Sequence, residues 1–188
     1  MTSENGQKGA YPLGMVLSVF HRVQVHLEAQ WHAQVRAEWR VDPEISFHLA
    51  GSARRGAATC GDLDAVLHVH PRSRFGELAT LEPLQASTWL AEGVEPLRAA
   101  DGVVLRFAGG LTADVRIVRD QDCCGGALAF LTGPRRFNRY MAYRLFGDAD
   151  RAPEIAEIAD TERGVLLDAL GVWVPPDKRD SYAAEHGF

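Results

Sequence analysis

The sequence predicts an α+β fold: one compact core, followed by a smaller helical C-terminal part. Three observations predict it. Apolar residues recur every three or four positions in one long segment near the start. Short alternating runs bounded by glycines occupy the middle. Helical patterns on either side of a Thr-Gly turn, then a capped helix, occupy the last third. With 188 residues, 46% of them hydrophobic, the chain can bury one core with a small second lobe.

The elements follow in order. The opening "MTSENGQKGAYPLG" lacks a basic-then-apolar signal pattern, and residues 1–12 read as a disordered leader. Val16, Phe20, Val23, Leu27, Trp31, Val35 and Trp39 form one face of a long amphipathic helix. Its histidines, His21, His26 and His32, read as surface or half-buried helix residues rather than metal ligands. "EISFHLAG" alternates Ile45, Phe47 and Leu49 as a short strand, and "DLDAVLHVH" reads as a second. Residues 77–100 read as helical, broken by Pro83, Gly93 and Pro96. "GVVLRFAGGLTADVRIV" is a hairpin turning at Gly109-Gly110. "GGALAFLTGPRRFNRYMAYRLFG" reads as two helices around Thr132-Gly133, with Pro134 in the first turn of the second. "DTERGVLLDALG" is a helix capped by Asp160 or Thr161 and stopped at Gly171, and "WVPP" leaves it extended.

Composition narrows the function classes. No run of about 18 apolar residues occurs, so no transmembrane helix is expected. The cysteines are Cys60, Cys123 and Cys124; no CxxC pair exists, which indicates a reducing, cytoplasmic setting and no zinc site by spacing. Residues 152–188 hold eight acids and three bases, which is the whole net charge of −5. The remainder is balanced, and its bases are arginine except Lys8; arginine suits bidentate phosphate contacts. A balanced body argues against a tight, extended grip on duplex nucleic acid.

The chemistry concentrates in "HLAGSARRGAATCGDLDAVLHVH". Asp62 and Asp64 sit two apart on one strand, hence on one face, about 6.6 Å apart along it. Two carboxylates that close repel unless neutralised, and the usual neutraliser is a hard divalent cation such as magnesium. Upstream, Gly51-Ser52 lets backbone amides approach an anion, and Arg54-Arg55 supplies guanidinium groups. This is equipment for a metal-bound nucleoside triphosphate. A third carboxylate is expected on a neighbouring strand. Asp114 in "LTADVRIV" is the candidate, sharing its face with Arg116 and Val118 while Ala113, Val115 and Ile117 face the other way.

These residues resemble the nucleotidyltransferase signature of the family X DNA polymerases, the group of DNA polymerase beta. Gly51-Ser52, Arg54-Arg55-Gly56 and Gly61-Asp62-x-Asp64 fall at the family's spacing. "ADVRIV" resembles its third-aspartate strand, and "LTGPRRFN" its Thr-Gly turn before a helix with a nucleotide-contacting asparagine, here Asn138. "DTERGVLLDALGVWVPPDKRD" resembles the end of its thumb. About 45 residues precede the signature, so the resemblance is to minimal palm-plus-thumb members, such as small viral ones. Where the family usually reads Tyr-Phe before Thr-Gly, this chain has Phe130-Leu131, and Ala142 stands where some members place an arginine.

The resemblance implies a palm over residues 13–125, with a mixed sheet and helices packed on one face, and a shortened thumb over 126–188. It implies two magnesium ions, or manganese, held by Asp62, Asp64 and Asp114. The triphosphate would lie on Gly51, Ser52, Arg55 and Gly61, and the nucleotide on Phe130, Leu131, Thr132, Gly133 and Asn138. Arg116 would orient the carboxylates, and Arg135, Arg136 and Arg139 would meet DNA phosphates. The partners implied are a deoxynucleoside triphosphate and primed or gapped DNA, bound weakly and salt-sensitively by a monomer. Alternatives stay open: a template-independent or other-acceptor nucleotidyltransferase, or a non-catalytic relative. Elsewhere, His68 and His70 share the aspartate face, and His68 is expected at the surface or on the DNA side. Cys60, Cys123, Cys124, Phe137 and Met141 read as packing residues.

Overall fold

The computed structural model describes residues 9–39, 45–69, 93–96, 102–118, 124–158 and 160–188. Seven strands occur among them: β1 (Tyr11–Pro12), β2 (Ile45–Leu49), β3 (Thr59–Cys60), β4 (Leu63–Val69), β5 (Gly93–Pro96), β6 (Gly102–Arg106) and β7 (Thr112–Val118). The α-helices are α1 (Leu13–Trp39), the single turn α2 (Gly51–Arg54), α3 (Cys124–Thr132), α4 (Arg135–Phe146), α5 (Glu162–Leu170) and α6 (Arg179–Glu185). Two 3-10 helices, Ala149–Glu157 and Pro176–Lys178, join the last of these. No helix among the described residues is long and apolar enough to cross a membrane.

The main sheet is mixed, with strand order β2-β4-β7-β6-β5. Only β4 and β7 run parallel; the other pairs are antiparallel. Alternation fixes which side of each strand is buried. Leu63, Ala65 and Leu67 of β4 and Ala113, Val115 and Ile117 of β7 are at most 4% exposed, all in one core with Val16 and Val23 of α1. Phe20 of α1 stacks on Phe47 of β2, ring centroids 4.9 Å apart. The intervening residues face the other way, where Val66 and Val118 meet Cys124 and Ala127 of α3. Helices therefore cover both faces, α3 on the aspartate side and α1 opposite, rather than the single face expected, because both sides of β4 and β7 carry apolar residues.

A second core belongs to the C-terminal part. Phe137, Met141, Ile155, Val165 and Leu166 are fully buried in it, so Phe137 and Met141 are packing residues as their spacing predicts. Thr161 caps α5, its hydroxyl accepting from Gly164 N at 3.0 Å, and left-handed Gly171 ends the helix. Asp160, the alternative cap, precedes it. Pro134 stands at the N-cap of α4, one residue ahead of its predicted place.

Further expectations change. Tyr11–Pro12 is not part of a leader; it pairs with Thr59–Cys60. Gly93–Pro96 is a strand bonded to β6, not helix; the rest of the 77–100 segment, with the side chains of Leu27, Trp31, Val35 and Trp39, lies outside the described residues. His26 is buried at 8% exposure, and that burial lowers its pKa.

Thr161→Ala should destabilise the protein by about 1 kcal/mol, the usual worth of an N-cap hydroxyl. Urea denaturation should show a lower midpoint with an unchanged slope.

Candidate functional site

The parallel register places Asp64 directly beside Asp114. Both are half-buried on the face opposite the main core, because their neighbours Leu63, Ala65, Ala113 and Val115 fill that core. A one-residue slip of either strand would push an aspartate into the apolar interior, which holds the pairing in place. Asp62 is not on the strand with Asp64, where its spacing predicts it, but in the bend just before β4, where it is also half-buried. Arg116 neighbours Val66 on one side and Gly102 on the other, so the position beside it on β6 carries no side chain.

Gly51 adopts φ +62, and a Cβ there would overlap the Asp64 carboxylate. Only glycine lets the backbone of α2 lie against that side chain. Ala50 N donates to Asp64 O at 2.9 Å, fixing the turn to the strand, and Ser52 follows in the same turn.

The two arginines of this turn divide their work. Arg54 makes a two-pronged pair with Glu162 of α5, both contacts at 2.6 Å, and donates to Thr132 Oγ1 at 2.8 Å. Arg55 donates to the Thr132 carbonyl at 2.8 Å. Glu162 also accepts from Arg179 at 2.8 Å, and Arg179 is fully buried. Burial pushes the Glu162 carboxyl up, but Arg54 and Arg179 outweigh it and hold its pKa below the ordinary value.

Thr132 and Gly133 lead into α4. Asn138 donates to Phe130 O at 2.7 Å and Gly133 O at 3.2 Å, clamping the turn. A Cβ on Gly133 would overlap Asn138 Oδ1, so the Thr-Gly sequence is what seats the asparagine. Phe130, Arg135, Asn138 and Arg139 line one cavity of about 440 Å³, with Ala149, Asp150, Ala152 and Pro153 on its other side. Leu131 packs instead beside Val66 and Val118.

The remaining sequence-predicted residues lie further out. Arg136 pairs with Asp180 at 3.1 Å and Arg139 with Asp150 at 3.2 Å, both on exposed surface. His68 is buried at 4% exposure rather than lying at the surface. Among the described residues, His48, His68 and Cys124 bring their donor atoms within 4.8 Å of one another. Glu162 and Arg179 were missed. Their segment was matched as thumb, but no local pattern marks a carboxylate that will meet an arginine 108 residues away.

No family model matches the chain, and no curated protein matches it in sequence. Solved structures do match. A crystal structure of polymerase beta from Leishmania infantum, a ternary gap complex, aligns with TM-score 0.58 and 17% identity over 92% of this chain and 71% of that one. A ternary P/T complex of the same polymerase aligns with TM-score 0.55 and 17% identity, over 92% and 77%. The chain has a polymerase beta-like fold. Within that fold the parallel β4–β7 pair and the α2 turn bring the sequence-predicted acids and amides to one end of the sheet.

Glu162→Gln should cost about 3–5 kcal/mol at neutral pH, because it strands the buried Arg179 charge. The wild-type contribution is complete above the ordinary carboxyl pKa of 4.5 and is lost as pH falls through the lower folded-state value. Denaturation at pH 7 and pH 3 should therefore show the gap between wild type and variant closing in acid.

Proposed function

We propose that the chain is a family X-type nucleotidyltransferase that adds deoxynucleotides to a primer 3′-hydroxyl, filling short gaps in DNA. The observation that carries this reading is the pairing of Asp64 with Asp114, with Asp62 adjacent and Gly51 lying against Asp64, inside a polymerase beta-like fold.

The donor set suits magnesium: three carboxylates, hard oxygen donors, two of them side by side on neighbouring strands. Asp62 and Asp64 would hold both ions and Asp114 the catalytic one. When bound there, magnesium supplies a lowered pKa for the primer hydroxyl and charge neutralisation for pyrophosphate. In the reaction, the primer 3′-oxygen bonds to the α-phosphorus as the bond to pyrophosphate breaks. Ser52, the Gly61 amide and Arg55 orient the triphosphate. Arg54 is committed to Glu162 and Thr132, which supports Arg55 as the phosphate-facing member of the pair. Arg116 positions the acids. Phe130, Thr132, Gly133 and Asn138 form the nucleotide wall, with Leu131 supporting it from the sheet side. Arg135, Arg136 and Arg139 meet DNA phosphates, the latter two by exchanging exposed acidic partners, which hold them weakly.

A second reading has its own support. With Arg136 and Arg139 paired to acids and a net charge of −5, an acceptor smaller than a primed duplex, or untemplated addition, suits the surface.

Primer extension with magnesium on gapped, recessed and single-stranded DNA separates the readings. Templated addition on the gapped substrate supports the first and untemplated addition the second. Asp114→Asn should lower turnover at least 1000-fold, about 4 kcal/mol, while nucleotide binding survives on Asp62 and Asp64. Near-wild-type turnover would sink the carboxylate assignment.

The sugar gives another test. Phe130 stands where the family checks the ribose 2′-position, and its ring lines the cavity beside Asn138. Deoxynucleotides should be preferred by two or three decades in kcat/KM, roughly 3–4 kcal/mol, and Phe130→Gly should erode that preference. Equal efficiencies in the wild-type protein would count against DNA as the product.

A further inference from the structure

We propose that His48, His68 and Cys124 form a binding site for a borderline-soft divalent cation, zinc by preference, separate from the aspartates. One ring nitrogen of each histidine and the Cys124 sulfur all lie within 4.8 Å of one another. Three elements converge to place them. In the antiparallel β2–β4 pair, Ser46 lies opposite His68 and His48 opposite Val66, so both histidines share the aspartate face. Cys124 opens α3, which packs on that face through Val66 and Val118.

The donor chemistry selects the ion. Two imidazoles and a thiolate suit zinc or cobalt and disfavour magnesium, which takes oxygen ligands. Tetrahedral zinc, with bonds of about 2.0–2.3 Å, sets its donors roughly 3.5 Å apart, so small side-chain rotations close the group around an ion. Ser46 Oγ lies 2.9 Å from Nε2 of His48 and fixes its ring, as outer-shell partners of metal-binding histidines do. A cavity of about 270 Å³ at the β2 edge is lined in part by His48. The Cys124 thiol, pushed up to about 11 by burial and by Glu162, would release its proton on binding.

The site is distinct from the proposed catalytic one. His68 is four residues along β4 from Asp64, roughly 13 Å at strand rise. An ion there would tie β2, β4 and the start of α3 together. This steadies the helix that ends at Thr132, whose hydroxyl and carbonyl accept from Arg54 and Arg55.

The test uses the full chain with cobalt and zinc as probes. In excess magnesium, which occupies the aspartates, wild type should bind about one cobalt per chain, and that cobalt should show a thiolate charge-transfer band. Zinc should raise Tm, and a large excess of magnesium should not displace it. Cys124→Ser should abolish the band and weaken zinc binding at least 100-fold. If that variant fails to fold by circular dichroism, His48→Asn, at a half-exposed position, should weaken binding at least tenfold and decides the question. Asp62→Asn should leave the band and the zinc affinity unchanged, so failure of the polymerase reading does not touch this one. Absence of both the band and bound zinc in wild type overturns the proposal. So does binding that survives Cys124→Ser or His48→Asn and disappears in Asp62→Asn.

Discussion

Glu162 sits between two guanidinium groups, and the placement of the helical C-terminal part against the sheet depends on that carboxylate. Arg179 is fully buried, between the rings of Phe137 and Trp173 at 5.5 and 5.7 Å. A charge so placed is tolerable only when paired and hydrogen-bonded. Glu162 supplies the pair, and the carbonyls of Val174 and Ala129 take further N–H groups at 3.3 and 3.4 Å. The other side of Glu162 holds Arg54. Arg54 belongs to the same four-residue turn as Gly51, which lies against Asp64. One carboxylate therefore connects the second core to the residue that backs an acid of the candidate site.

Glycine makes the connection possible at both ends. Gly51 lets α2 approach Asp64, and Gly133 lets Asn138 fold back on the Thr-Gly turn. Between them, Arg54 and Arg55 grip the hydroxyl and carbonyl of Thr132. The turn before β4 and the turn before α4 are thus parts of one bonded assembly. Motion of the C-terminal helices would be felt at the carboxylates through it.

Much of the fold was legible because local patterns carried it. The 3.6 period of Val16, Phe20 and Val23 marks α1, the Gly109-Gly110 turn marks the β6–β7 hairpin, and Thr161 with Gly171 brackets α5. Strand β5 is not legible in the sequence, because Gly93 and Pro96 punctuate it and its bonds come from β6. Strand β1 is illegible for a like reason: two residues have no period, and their partners lie in β3. Alternation puts His68 on the aspartate face and so predicts it outside. That face is only half open, since α3 covers its far end.

The sequence by itself determined the acids, the glycines and their spacing. Asp64 had to face away from Leu63 and Ala65, Asp114 had to face away from Ala113 and Val115, and Gly51 had to stand where a turn leaves the backbone accessible. Alternation and steric exclusion act over a few residues, so spacing along the chain is enough to read them. Only the tertiary structure decided that β4 pairs with β7 in parallel and sets Asp64 beside Asp114. It alone decided that Glu162 joins Arg54 to Arg179, and that His48, His68 and Cys124 converge. These contacts join groups far apart in the chain, and no local pattern encodes them. They exist because burying two cores leaves each of these side chains few other places to go.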